Sequence, residues 1–419
     1  MRIRELTVTN FRAFSGPHTF RFSDRFTVVA GVNGRGKTAL LDALALLASR
    51  LLPHVSPARS GYRTVGPSEI NLDAHSAELA VKVNCAGIPL DYRLTYTREN
   101  KKVTPTRIPF AVKRAIQQAY GDPGRTDDAA PLVVYYTTDR AGYRLPRRLP
   151  SEVPNGQAAA YAGALFNRTV NFRDFMARYR NAIALESGEL QSNPNFLGDR
   201  VVGSIARAIT VFLGGFSNLR VQEHPLRLLV DKAGAVLNLS QLSDGERAFL
   251  AVVCDLGRRL ALANPMLENP LHGAGVVLVD ELELHLHPQW QREIVEKLRR
   301  TFPNIQFIAT THSPFIIQTL RTDELIVLDD LIVGSYENRG LEEIATKVMG
   351  IQDPEVSPRY FEMLDAAKTY YRALDARLPV APKLKAALKR RLNKLARPYA
   401  DNPAYQAFLE LERVKAFKE

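Results

Sequence analysis

The residues best equipped for chemistry stand together in Gly31-Val32-Asn33-Gly34-Arg35-Gly36-Lys37-Thr38, which fits the spacing G-x-x-x-x-G-K-T in full. Glycines at these positions, with Asn33 among them, let peptide N–H groups curl round phosphate oxygens without a Cβ in the way. Lys37 supplies a fixed cation for the β and γ phosphates, and the Thr38 hydroxyl is a ligand for Mg2+. Further along, Val276-Val277-Leu278-Val279-Asp280-Glu281 is an apolar run that ends in two acids. An acid at the carboxyl end of a buried strand can reach a metal at the phosphates. Asp280 is placed for that contact, and Glu281 for polarising an attacking water as general base. Two surface acids after a strand are the plain alternative, and the phosphate loop upstream weighs against it.

Three other groups invite both structural and chemical readings. Ser243 with Glu246 three positions on makes a capping box for a helix that begins near Asp244 and Gly245. Thr310-Thr311-His312-Ser313-Pro314 ends an apolar run, and a histidine there is on its own more often structural. Glu281-Leu282-Glu283-Leu284-His285-Leu286-His287-Pro288 alternates ionisable residues with leucines. A metal cluster is one reading of it. The preferred one is a loop leading into a helix with Pro288 at its first position.

The elements that must position these residues follow from periodicity. Residues 2–9 and 19–30 read as two strands, the second running into the glycine loop. A helix over Ala39 to about Leu52 follows, with Leu40, Leu41, Leu44 and Leu47 on one stripe. Residues 77–97 alternate as a hairpin, 109–120 suit a helix, and 131–136 a buried strand. Residues 141–225 read as an inserted helical arm or lid, with helices near 171–187 and 198–213. A short hairpin at 226–239, a helix at 245–263, strand 275–279, helix 288–300 and strand 305–309 complete an α/β core. The chain thus divides into 1–140, 141–225, 226–345 and a helical extension, 346–419. In that extension Lys383, Lys385, Lys389, Arg390, Arg391, Lys394 and Arg397 accompany a stripe of Leu384, Leu388, Leu392 and Leu395. A solvated face, a DNA or RNA phosphate contact and an acidic partner protein are all consistent with it.

Composition sets bounds. Fifty-six Lys and Arg against 44 Asp and Glu give the 419-residue chain a formal charge of +12, which favours polyanionic partners. Two distant cysteines, Cys85 and Cys254, form neither a disulfide framework nor a metal spacing. The first residues alternate as a strand and not as a signal peptide, and no apolar run reaches the ~18 residues of a membrane helix. A cytoplasmic location without membrane contact is expected.

The order of phosphate loop, Leu239-Ser240-Gln241-Leu242-Ser243-Asp244-Gly245-Glu246-Arg247 and acid pair resembles that of ABC ATPases. That resemblance implies ATP and Mg2+ as ligands and a homodimer, or a higher oligomer, with composite sites. It makes the Ser243 segment a signature that reaches ATP on the other subunit, together with Gly245 and the cation of Arg247. It makes His312 the switch histidine that holds the γ-phosphate and the attacking water. The opening Val8-Thr9-Asn10-Phe11-Arg12-Ala13-Phe14 is similar to RecF and SMC-type ATPases, which places Arg12 near the nucleotide. More closely, the chain resembles stand-alone bacterial RecF-like ATPases, including the PtuA ATPase of Septu and retron phage-defence systems. Ala130 to Arg140, Asn171 to Glu186, Leu242 to Pro265, Val276 to Trp290, and Gly340 to Ile344 with Met349-Gly350 carry this likeness.

The resemblance implies a P-loop ABC-type ATPase head and hydrolysis that gates dimer closure. It also implies control of an HNH nuclease partner or of a nucleic-acid contact in anti-phage defence. A near-inactive regulatory scaffold and a DNA-repair ATPase are the alternatives. Two departures stand out. No glutamine-loop residue can be placed, Glu69 and Asp73 being the candidates for its role. And only a short segment follows Asp329-Asp330, without the acidic triad of a nuclease domain.

Overall fold

A computed structural model describes residues 1–56, 64–99, 102–121, 130–141, 148–150, 156–165, 175–181, 199–328, 339–351, 358–374, 381–399, 407, 409–411 and 414. The elements in chain order are β1 (Arg2–Thr9), β2 (Pro17–Arg21), β3 (Phe26–Ala30), α1 (Lys37–Leu51), β4 (Ser76–Cys85), β5 (Ile88–Glu99), β6 (Lys102–Pro105), α2 (Phe110–Tyr120) and β7 (Leu132–Tyr136). Then come α3 (Gln157–Tyr161), α4 (Arg200–Phe212), β8 (Phe216–Gln222), β9 (Arg227–Lys232), β10 (Ala235–Asn238), α5 (Asp244–Ala263), β11 (Gly275–Val279), α6 (Pro288–Thr301), β12 (Ile305–Thr310), α7 (Pro314–Ile317) and β13 (Leu325–Val327). Helices α8 (Leu341–Lys347), α9 (Pro358–Arg372) and α10 (Pro382–Ala396) follow.

Two sheets carry the α/β head. The apolar runs of β3, β7, β11 and β12 are buried at every residue, as strands covered on both faces must be. They join β13 in a parallel sheet of order β13-β3-β12-β11-β7. Strands with alternating burial form the antiparallel sheet β2-β1-β4-β5-β6. Helix α1 packs against β1 and β4 of one sheet and β11 and β12 of the other, so the phosphate-loop helix lies in the main core. The fold is the expected α/β P-loop head with inserted and appended helices.

The expected single strand over 19–30 is two strands in different sheets. Ser23-Asp24-Arg25 breaks the apolar run, and Ser23 N–H donates to Thr27 Oγ1 at 2.9 Å to turn the chain. Buried Gln306 closes the seam. It accepts from Ile3 N–H at 2.7 Å and donates to the carbonyls of Ile3 and Ser23, both at 2.8 Å. The helical reading of 141–225 likewise stops short of its end. Residues Phe216–Gln222 form β8, which pairs with β9 and makes the expected two-stranded hairpin a three-stranded sheet. Helix α4 matches the second helix expected there, while of 171–187 only 175–181 is described, as helix. The reading of Asp329-Asp330 as a strand end falls outside the described residues.

Helix α5 is buried along almost its whole length and contains charges. Asp255 accepts from Arg258 at 2.9 Å, Arg259 at 2.7 Å and the Tyr136 hydroxyl at 2.9 Å. Arg259 also donates to the carbonyls of Ala160 and Ala162, at 2.6 and 3.0 Å. Burial alone would raise the Asp255 pKa. The two guanidiniums overcome it and hold the carboxyl well below the usual carboxylate range. A depressed folded-state pKa contributes stability that is present above the unfolded value of about 3.9 and is lost as pH falls from there through the much lower folded-state value. Asp255→Asn should therefore destabilise the chain at neutral pH by about 3–5 kcal/mol, because two buried cations lose their counter-charge. It should also remove part of the wild-type loss of stability on acidification below about pH 5. Urea unfolding at pH 7 and at about pH 3 checks both; a variant as stable as wild type at pH 7 would contradict the cluster's structural weight.

The chain separates into two compact units, Met1–Met349 and Gly350–Glu419. The second is a helical unit in which α9 and α10 pack through Met363, Ala367 and Leu392, with Leu409. Among the described residues no helix is long and apolar enough to cross a membrane.

Candidate nucleotide-phosphate site

Strand β3 delivers its chain into the glycine loop, and α1 begins at Lys37. Gly34 and Gly36 have φ of +83° and +100°, a region that side chains rarely adopt. At Gly36 the reason is also steric, since a Cβ there would lie 2.8 Å from the Phe14 ring. Asn33 and Gly34 are exposed at the loop's apex. The Lys37 ammonium reaches back across the loop and donates to the carbonyls of Gly31 at 2.8 Å and Val32 at 3.0 Å. A cavity of about 580 Å³ opens beside the loop, lined by Phe14, His18, Phe20, Gly34, Arg35 and Leu328 among others.

The ends of three neighbouring elements bring the polar groups together. Thr38, at the start of α1, donates its hydroxyl to Asp280 Oδ2 at 3.0 Å. Thr310, at the end of β12, donates to Asp280 Oδ1 at 2.6 Å. The same Thr310 hydroxyl accepts from the Glu281 N–H at 2.7 Å. Asp280 is buried and Glu281 half-buried, with the Glu281 backbone at φ +47°. Behind the acids lies Arg140, which donates to the backbone carbonyls of Asp280 and Glu281.

His312 is positioned from below by Glu283, whose carboxylate accepts from the His312 N–H and from the Thr311 hydroxyl at 2.6 Å. Burial lowers the His312 pKa first and the Lys37 ammonium lowers it further, against the pull of Glu283, Glu281 and Asp280. The ring is therefore neutral at pH 7, with one nitrogen to donate and one to accept.

Thus Lys37, Thr38, Asp280, Glu281 and His312 meet in one place. Ser243 hydrogen-bonds within its own capping box. Its hydroxyl accepts from Glu246 N–H at 3.3 Å and its N–H donates to Glu246 Oε2 at 3.1 Å, which leaves the residue exposed at the start of α5. Gly245 has a reason inside its own chain: a Cβ there would lie 2.4 Å from the His285 carbonyl oxygen. Arg247, expected to offer a cation across an interface, bonds to Asp244 and to the Ser240 carbonyl of its own chain. Arg12 engages Asp42 of α1 and Glu69. Glu69 also accepts from Gly66 N–H at 2.9 Å, so the candidate magnesium-loop carboxylate is committed to Arg12 and its own turn. Helix α6 begins at Pro288 with His287 as its cap, as the proline implied. Among the described residues no three His, Cys, Asp or Glu are placed to hold a metal together.

Sequence reasoning missed Thr310, Glu283 and Arg140 as parts of the site. Thr310 lay within a segment already of interest, and two acids in one short loop marked Glu283. Nothing local to Arg140 announced its bonds to the carbonyls of Asp280 and Glu281, 140 and 141 residues away.

The comparisons with known proteins extend these observations. Residues 26–318 match a family model described as "AAA domain, putative AbiEii toxin, Type IV TA system". A "Retron Vc95 probable ATPase" of Vibrio cholerae serotype O1 biovar El Tor is 27% identical, over 79% of this chain and 74% of its own. A "Septu protein PtuA" of Bacillus thuringiensis is 40% identical over a shorter stretch, 22% of this chain and 26% of its own. Among solved structures, an SMC head bound to the C-winged helix domain of ScpA aligns with a TM-score of 0.46 and 15% identity, over 75% of this chain and 91% of that one. The family match takes in the loop of Lys37, the acid pair and His312, and the chain belongs to the AAA-domain family so described, as an AAA-type ATPase domain related to retron and Septu proteins.

Proposed function

We propose that the chain binds ATP with Mg2+ and hydrolyses it in a dimer that closes over two shared sites. The observation that carries this reading is the chain of oxygens from Thr38 to Asp280 to Thr310, 3.0 and 2.6 Å apart, beside Glu281 and under Lys37. A hydroxyl and a carboxylate make an oxygen-only donor set, which fits a hard divalent cation shared with phosphate oxygens. When bound, Mg2+ supplies charge neutralisation at the β and γ phosphates.

The chain's own residues do the rest. Loop amides around Asn33, Gly34 and Gly36 bind the phosphates, with α1 aiming its positive end at them. Lys37 leaves the carbonyls of Gly31 and Val32 for the phosphate oxygens. Glu281 takes a proton from the attacking water on its carboxylate. Neutral His312 holds that water or the γ-phosphate by hydrogen bonding. Ser243 of the partner subunit, exposed at a helix start, contributes its hydroxyl and helix N-terminus across the interface. Steady-state hydrolysis with Mg2+, measured with and without DNA, tests the reading. Tight ATP binding with no turnover under either condition would favour the regulatory scaffold instead.

Closure controls an effector nuclease or a nucleic-acid contact in anti-phage defence. The retron and Septu relatives support the setting, and the cationic face of α10 supports the contact. Lys383, Arg390 and Lys394 are exposed on this helix and Arg397 just past its end, whereas Leu392 is buried. Replacing Lys383, Arg390 and Lys394 together with alanine should weaken DNA binding about tenfold or more. It should also flatten the dependence of log K on log salt by about 3, one unit per lost phosphate contact. Fluorescence anisotropy against a salt series reads both, and an unchanged slope would remove α10 from the interface.

A further inference from the structure

We propose that Arg140 is a positioning residue for hydrolysis: its guanidinium fixes the backbone of the acid pair and so aims the Glu281 carboxylate. This rests on the reading of Glu281 as general base. Arg140 is 2% exposed and belongs to the largest fully buried side chains of the molecule. A guanidinium at that depth ordinarily meets a carboxylate in a bidentate pair. Here the donors go to main-chain carbonyls, one to Asp280, one to Glu281 and one to Thr137 at 3.2 Å. The carboxylates of Asp280, Glu283 and Glu281 act on Arg140 only through their field, while burial pulls its pKa down to about 10. It remains a cation throughout the physiological range.

Glu281 needs such an anchor. Its φ of +47° lies in the left-handed region, which residues with a side chain seldom occupy and which persists where the surroundings over-determine it. Both polar groups of its peptide backbone are held by side chains from other elements. Thr310 receives the N–H at 2.7 Å, and Arg140 donates to the carbonyl, which also accepts from Leu284 N–H at 2.9 Å within the turn. The next peptide is fixed too, since Leu282 N–H donates to the Thr310 carbonyl at 2.8 Å. With the backbone pinned on either side, the Glu281 Cα–Cβ direction is set before any ligand arrives. Arg140 follows β7, the edge strand beside β11, so it ties the catalytic turn to a strand that carries no other part of the phosphate site.

The test measures turnover, ATP affinity and melting temperature for Arg140→Lys, Arg140→Met and Arg140→Gln, each alone and combined with Glu281→Gln. A lysine keeps the charge but cannot span the carbonyls of Asp280 and Glu281. Arg140→Lys should lower kcat about 30-fold or more, in the range of misplaced general bases, with the Kd for ATP within about threefold of wild type. In the Glu281→Gln background the same substitution should cost less than about threefold, because the group it aims is already gone. If Arg140→Met fails to fold, Arg140→Gln keeps an N–H donor for one of the two carbonyls, touches no group of the cation site, and should show the same loss and the same non-additivity. Full turnover in Arg140→Lys, or equal losses with and without Glu281→Gln, would overturn the assignment. Full turnover in Glu281→Gln itself would overturn the general-base reading along with it.

Discussion

Glu281→Gln should leave ATP binding close to wild type and lower turnover by about 10²–10⁴-fold. The substitution keeps the size and the hydrogen-bonding shape of the side chain and removes only its basicity. The backbone bonds from Thr310 and Arg140 do not involve the carboxylate, so the turn at φ +47° stays as it is. The Thr38–Asp280–Thr310 oxygens remain to hold the cation. Because the lesion falls on the chemical step, the ATP-bound state should accumulate. Single-turnover and steady-state rates, read beside ATP affinity, separate the two effects. A variant that turns over normally would move the base to another residue.

Lys37→Ala should act the other way, with ATP affinity reduced by about 100-fold or more and turnover lost with it. The ammonium now satisfies the carbonyls of Gly31 and Val32, 2.8 and 3.0 Å away, and so lies folded over the loop that must receive the phosphates. Its removal leaves the glycine loop with amides and a helix terminus but no fixed cation. The loss should be greater for ATP than for ADP, since the γ-phosphate depends most on this charge. Calorimetric titration with both nucleotides checks the order. Equal affinity of wild type and variant for ATP would refute the assignment of the phosphate loop.

Much of this site is legible in sequence because its signals are local. The glycine loop needs only the spacing of Gly31, Gly36, Lys37 and Thr38 after a strand. The capping box of Ser243 and Glu246 and the start of α6 at Pro288 depend on residues within one helical turn, and both occur as read. The buried parallel strands declared themselves as continuous apolar runs. What escaped is what only pairing decides. Residues 19–30 look like one strand until its two halves join different sheets. The strand Phe216–Gln222 carries too few buried positions to stand out, with only Phe216 and Leu219 inside. Arg140 reads as one more arginine in a basic chain until the fold brings it under Asp280 and Glu281.

Gly245 teaches a related lesson about motifs. As part of a signature it invites a role against phosphate, yet its own chain already requires a glycine there, because the carbonyl of His285 occupies the space a Cβ would take. The contact also joins the start of α5 to the loop that follows the acid pair.

If ATP joins two copies of this chain through sites each completes for the other, the joining must appear as a change of mass. Static light scattering on Glu281→Gln, with Mg2+ and with or without ATP, tests it most directly. ATP should double the measured mass, ADP should not, and Ser243→Arg at the same nucleotide occupancy should abolish the increase. A mass that stays monomeric while ATP is demonstrably bound would contradict it.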